Sequence, residues 1–236
     1  MRWFGKSGTV GPTGRIGAVL IDIDGVLTVS WEPLPGAVEA MERLRAADVP
    51  LALVTNTTSR TRARIARRLA DAGFPVGPDD IRTAPAVTAA HLREHHPEAR
   101  CPLISAGDVR DDLPGVDLVE EEDAGGAVPD GLDLDTGAFL LGLERAAGTE
   151  AVVTGKPSGA FFATALAHLG AEPAGVLMAG DDIDTDVLAA QGHGITGVLV
   201  RTGKYRPETR AAADGTPDHV VDTFADVPAL VERLGR

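Results

Sequence analysis

The sequence contains a single cysteine, Cys101, so no disulfide framework can form within the chain, and a reducing compartment suits it. Nowhere does an apolar run approach the roughly 18 residues of a membrane span. The start, MRWFGKSGTVGPTGR, has no apolar stretch of the signal-peptide kind, so the expected location is cytoplasmic. Basic charge is scarce: 22 Lys and Arg face 35 Asp and Glu, a formal net charge of −13. That balance argues against nucleic acid or an anionic membrane as partner, because both need a basic surface. GKS at 5–7 tempts a nucleotide-binding reading, but no glycine stands five residues before Lys6, so it is not a Walker loop. Residues 1–15 are read as a flexible tail. The six histidines show no ligand spacing, and the adjacent His95 and His96 diverge on a helix.

What is present is enough apolar material, 44% of the chain, for one domain or a domain with an insertion. The acidic charge is unevenly placed. Between Asp108 and Asp135 stand eleven acidic residues and one basic residue, Arg110. Gly and Pro are frequent there and EEEDAGG has no periodicity, which reads as a solvated loop. A Ca²⁺ site in DGLDLD (130–135) is disfavoured, since its spacing is not that of an EF-hand.

The rest alternates strand and helix. AVLI (18–21), PLALVT (50–55), VLMAG (176–180) and GVLVRT (197–202) read as strands, with CPLIS (101–105) in the middle region. Helical patterns fall at 36–47, 59–73, 84–96, 158–170 and 185–194. Such alternation predicts an α/β fold with a mostly parallel sheet, whose ligand site lies beyond the carboxyl ends of the strands. Those ends carry Asp22 and Asp24, then Thr55 and Asn56, then GDDIDTD (180–186), and GKPS (155–158) opens the helix before the last of these. Carboxylates from two strand ends facing one another require a cation, so a hard ion with oxygen ligands is implied, Mg²⁺ first, together with Lys156.

These elements, DxDxV at 22–26, Thr55-Asn56, Lys156 and GDxxxTD at 180–186, resemble the haloacid dehalogenase-like (HAD) phosphohydrolases. The resemblance implies a Rossmann-like core in which Asp22 is the nucleophile and Asp24 the general acid and base. Thr55, Asn56 and Lys156 would bind phosphate, with the free amides at the start of the helix near Ser59. Asp22, Asp181 and the backbone carbonyl of Asp24 would hold Mg²⁺, Asp186 would orient Lys156, and Asp182 or Asp184 would lie further out. The gap between Thr57 and Lys156 resembles the place where the NagD-like subgroup inserts an α/β cap. VTNTTSRTRARIARRL, AGDDIDTDVLAAQ and GVLVRTGKYRP resemble the branch of phospholysine phosphohistidine inorganic pyrophosphate phosphatases. The expected organisation is a core of 16–78 and 153–236 with a cap at 79–152, curtailed because the acidic stretch replaces further strand and helix. Arg60, Arg62, Arg64, Arg67 and Arg68 read as a solvated helix face, Arg60 and Arg62 being the two nearest the phosphate turn; Lys204 and Tyr205 read as rim residues.

The expected function is a Mg²⁺-dependent phosphatase acting on small phosphomonoesters through an aspartyl-phosphate. Phosphohistidine or pyrophosphate hydrolysis is one alternative. The other is a cap-deleted, degenerate relative that binds or oligomerises. A sheet that has lost strands exposes an edge and apolar surface, so a homodimer is the expected assembly.

Overall fold

In the computed structural model, which describes residues 15–119 and 136–235, the apolar runs are strands because alternate side chains feed two different cores. Along the chain stand β1 (Ala18–Asp22), a hairpin of β2 (Thr28–Val29) and β3 (Glu32–Pro33), α1 (Ala37–Ala46), β4 (Leu51–Thr55) and α2 (Arg62–Asp71). Next come β5 (Ile81–Thr83), α3 (Ala84–His95), β6 (Arg100–Pro102), β7 (Asp117–Val119) and α4 (Thr136–Ala147). The second half holds α5 (Gly159–Leu169), β8 (Val176–Gly180), α6 (Ala189–Gly192), β9 (Thr196–Val200), α7 (Pro207–Ala212), β10 (His219–Val221) and α8 (Val227–Leu234). Among the described residues, no helix is long and apolar enough to cross a membrane.

Six strands form one parallel sheet in the order β10-β9-β8-β1-β4-β5. Val19 and Ile21 of β1, with Leu51 and Leu53 of β4, face a core closed by Met41, Leu44, Ile65, Leu69 and Leu230 from α1, α2 and α8. Ala18, Leu20, Ala52 and Val54 face the other, closed by Val87, Phe161, Phe162 and Ala190 from α3, α5 and α6. The chain leaves β1 toward β4 and β5, then returns to β8 on the opposite side of β1. That reversal makes a topological switch point at the carboxyl end of β1, where ligands bind in sheets of this kind.

Residues 81–83, just past the boundary expected at 78, pair in parallel with β4 and form the sheet edge, and Val87 of α3 packs into the second core. The acidic segment also differs from the solvated reading over its described part. Val109 and Leu113 are buried with Ala89, and Val116 and Leu118 pack on them, beneath the parallel pair β6-β7. Apolar residues scattered among acidic ones form this cluster only because α3 supplies the facing wall. GKS (5–7), EEEDAGG (120–126) and DGLDLD (130–135) lie outside the described residues.

Candidate active site

Three strand ends bring the predicted residues together. Asp22 closes β1, Thr55 closes β4, and Asp181 follows Gly180 at the end of β8. Lys156 comes from the segment before α5, which starts where Ser158 caps it by accepting the Phe161 amide at 3.3 Å. The Lys156 ammonium lies 2.5 Å from Asp22 Oδ1 and 2.7 Å from Asp186 Oδ1, and all three residues are buried. Carboxylate oxygens of Asp22, Asp181 and Asp186 lie within 4.8 Å of one another.

Asp186 reaches this cluster through a wide turn. Residues 183–188 make π-type bonds, with the Val187 amide donating to the Asp182 carbonyl at 3.3 Å, where the helical pattern predicted an ordinary helix. Asp182 caps this turn by accepting the amides of Asp184 and Thr185, each at 3.1 Å. It therefore supports the turn and stands outside the cluster, while Asp184 is exposed. Gly180 has no side chain, and Asp186 fills the space a Cβ there would take.

Burial pushes Asp22 up to about 7, opposed by Lys156 and reinforced by Asp186 and Asp181. Burial alone would lower Lys156, but Asp22 and Asp186 outweigh it and hold the ammonium above its ordinary value. Burial also raises Asp181, although the Lys204 amide, donating to Oδ2 at 2.7 Å, pulls the other way. The other oxygen, Asp181 Oδ1, is buried with no hydrogen-bond partner among the described residues. An orphaned carboxylate oxygen beside two more buried carboxylates, with oxygen donors only, fits a hard divalent cation.

Several positions depart from expectation. Asn56 was expected on phosphate, but its side chain is already engaged with the backbone of Lys156. Nδ2 donates to the Lys156 carbonyl at 2.9 Å and Oδ1 accepts its amide at 2.7 Å, so one of the two Nδ2 hydrogens is spent on the protein. Asp24 was expected to offer its backbone carbonyl to the ion and its side chain as acid and base; the side chain is exposed and lies outside the three-carboxylate cluster, which departs from neither role. The amides at the start of α2 are partly taken: Thr61 accepts Arg64 N–H at 3.3 Å and Asp112 accepts Arg62 N–H at 2.7 Å. Arg62 is paired with Asp112 and is thus not a free solvated cation, while the Arg60 guanidinium lies 5.2 Å from the Trp31 ring centroid. His91 and His95, one helical turn apart on α3, meet in a tilted contact with ring centroids 4.6 Å apart, a spacing the sequence reading passed over.

Sequence reasoning also missed how Asp181 is held. Gly25 and Gly203 have φ of +91° and +56°, and a Cβ on either would overlap Asp181 Oδ2. Thr202 Oγ1 donates to the Gly25 carbonyl and closes the two loops on each other. GVLVRTGKYRP was the signal, with Gly203 three residues past β9. Gly25→Ala and Gly203→Ala are each expected to displace the Asp181 carboxylate. Divalent-ion protection against thermal unfolding should then disappear, and an unchanged ion-induced rise in Tm would contradict this.

A parallel sheet with this crevice, two carboxylates ahead of a glycine on the first strand, and a lysine between buried acids define a hydrolase of the HAD type. Residues 19–119 match the haloacid dehalogenase-like hydrolase family and residues 153–227 match a HAD-hydrolase-like family, so the chain belongs to the haloacid dehalogenase-like hydrolases. It is 33% identical to the phospholysine phosphohistidine inorganic pyrophosphate phosphatase of Xenopus laevis, over 88% of this chain and 92% of that one. A p-nitrophenyl phosphatase from Archaeoglobus fulgidus superposes with a TM-score of 0.80 at 25% identity, covering 92% of this chain and 99% of the other. NagD from Escherichia coli has the same fold, with a TM-score of 0.78 at 24% identity over 89% of this chain and 98% of NagD.

Proposed function

We propose that the chain hydrolyses small phosphomonoesters with Mg²⁺ as its ion, through an aspartyl-phosphate on Asp22, within the class of HAD-type phosphatases. The observation that carries this reading is the buried cluster of Asp22, Asp181 and Asp186 around Lys156 at the switch point of the sheet. A phosphomonoester dianion repels a carboxylate nucleophile, so positive charge has to surround its oxygens. Lys156 and the Thr55 hydroxyl bind those oxygens from one side. Asp22, Asp181 and the Asp24 carbonyl would hold Mg²⁺, which when bound supplies the remaining charge neutralisation.

Asp22 attacks phosphorus as the ester oxygen leaves. Asp24, two residues on and exposed, gives that oxygen its proton and then takes one from the water that opens the acyl phosphate. Asp186 keeps Lys156 in place from behind. The alignment with the Xenopus relative runs over 252 positions while spanning 88% of this chain, so that relative carries about 40 residues which this chain lacks. We assign this difference to the curtailed cap expected at 79–152, and a curtailed cap favours small substrates with weak discrimination between leaving groups, since little remains to grip them.

Turnover of p-nitrophenyl phosphate with and without Mg²⁺, followed by a panel including pyrophosphate and phosphohistidine, tests the proposal. Full activity in excess EDTA would overturn it. The pH dependence of ion binding gives a second check. Asp22 must be ionised to hold the ion, so apparent Mg²⁺ affinity should rise about tenfold per pH unit below 7 and level off above. In EDTA the sign is opposite. A carboxyl whose folded pKa is raised stabilises the fold at low pH, and that contribution is lost as pH rises toward 7. The Mg²⁺-induced rise in Tm should therefore grow between pH 5 and 8, and Asp22→Asn should flatten that trend.

A further inference from the structure

Residues 105–112 of the inserted segment lie against the turn that joins β4 to α2, the turn read above as the phosphate-binding one. Ser105 donates from Oγ to the Thr58 carbonyl at 2.8 Å. Gly107 approaches Ser59 so closely that a Cβ there would overlap the Ser59 carbonyl oxygen. Asp112, only 3% exposed, accepts the Arg62 amide through Oδ2 at 2.7 Å and Arg62 Nε through Oδ1 at 3.1 Å. Thr83 Oγ1, on β5, lies 3.5 Å from Asp112 Oδ2.

A carboxylate buried this deeply is expensive unless charge and hydrogen bonds are both met. Arg62 meets the charge, and the position meets a second need. The first amides of a helix have no partner within it and attract an anion. The protein fills that place on α2 with its own carboxylate, so a substrate phosphate is left with the turn ahead of the helix, whose course these contacts set.

We propose that Asp112 is a positioning residue for phosphate binding: through Arg62 it fixes the first turn of α2 and the course of residues 56–59. The inserted segment then works as a brace on the phosphate-binding turn. The proposal rests on the phosphatase reading for the identity of the anion.

The test is equilibrium binding of inorganic phosphate to the full chain in Mg²⁺, by calorimetry, measured apart from p-nitrophenyl phosphate turnover. Asp112→Asn keeps the shape and loses the ionic pairing, and Arg62→Lys keeps the cation and loses the planar fork. Each is expected to weaken phosphate and raise KM by about tenfold, with kcat changed less than about twofold, because the grip is misplaced while the nucleophile is not. The double variant should be no worse than the weaker single one, since both act on one contact. Unchanged phosphate affinity and KM in a folded variant would overturn the proposal. So would a fall in apparent kcat that only tracks the folded fraction, with KM unchanged. If Asp112→Asn does not fold, Arg62→Lys carries the same comparison. A wild-type chain that binds phosphate in an Asp112-sensitive way yet turns over no phosphoester would overturn the phosphatase reading and leave the brace standing.

Discussion

Asp22→Asn is expected to lower kcat by on the order of 10³-fold or more, because an amide neither attacks phosphorus nor offers its charge to an ion. The fold should survive. Lys156 keeps its contact with Asp186 at 2.7 Å, and the substitution removes a buried charge that burial already disfavours at neutral pH. Melting in EDTA at pH 8 should therefore occur no lower than in the wild type. Asp24→Asn offers the contrast: it should still form phosphoenzyme with a good leaving group and turn over slowly. Rapid quench with labelled p-nitrophenyl phosphate, followed by mapping of the labelled peptide, checks both. Label on any residue other than Asp22 would refute the assignment.

Lys156→Met should be damaging in a different way. The ammonium is the counterion for two buried carboxylates, and removing one partner of such an arrangement leaves charge uncompensated, typically about 3–5 kcal/mol. Against a total stability of about 5–15 kcal/mol for a domain, that is enough to populate the unfolded state at moderate temperature. The loss should be smaller at pH 5.5 than at pH 8, because Asp22 titrates near 7 and is then largely protonated. Mg²⁺ should recover part of it, since an ion among the carboxylates takes over part of the lost neutralisation. Activity should not recover, as nothing replaces the cation on the phosphoryl oxygens. Calorimetry at the two pH values, with Mg²⁺ and with EDTA, is the measurement. A loss of Tm independent of both would show that Lys156 acts by packing alone.

The two variants separate what each side of the site contributes. By the proposed mechanism Asp22 would carry reactivity and little stability, and Lys156 would carry both, because it lies among the buried carboxylates at the end of the parallel sheet. Asn56 belongs with Lys156 in this respect, since its side chain holds the lysine backbone across 100 positions of sequence.

Much of the fold was legible in short windows. A run such as AVLID is buried at every position, and its unbroken apolar character marks a strand covered on both faces. Helices announce themselves by period and by caps such as Thr61 and Ser158. The residues at the ends of those strands, Asp22, Thr55 and Asp181, could be listed from the sequence because strand ends in a parallel sheet converge by topology. All of this depends on neighbours within about a turn or a strand, which is the range over which sequence pattern and local conformation are coupled.

Only the tertiary structure decided the rest, and in each case the partner is remote. Ile81–Thr83 is too short to stand out as a strand, and it became one because β4 offered an open edge. Val109 and Leu113 were hidden among acidic residues until Ala89 of α3 gave them a surface to bury. Asn56, expected on phosphate, also holds the Lys156 backbone with its side chain. Asp112 looked like one solvated carboxylate among many, and its burial against Arg62, fifty positions earlier, joins Ser105 and Gly107 in tying residues 105–112 to the turn after β4. The sequence by itself determined the longer strands, most helices and which residues stand at the strand ends, because those follow from local periodicity and side-chain type. Which polar groups spend their hydrogen bonds on the protein and which remain for a ligand was decided by packing, because a buried donor or acceptor is satisfied by whatever the fold brings beside it.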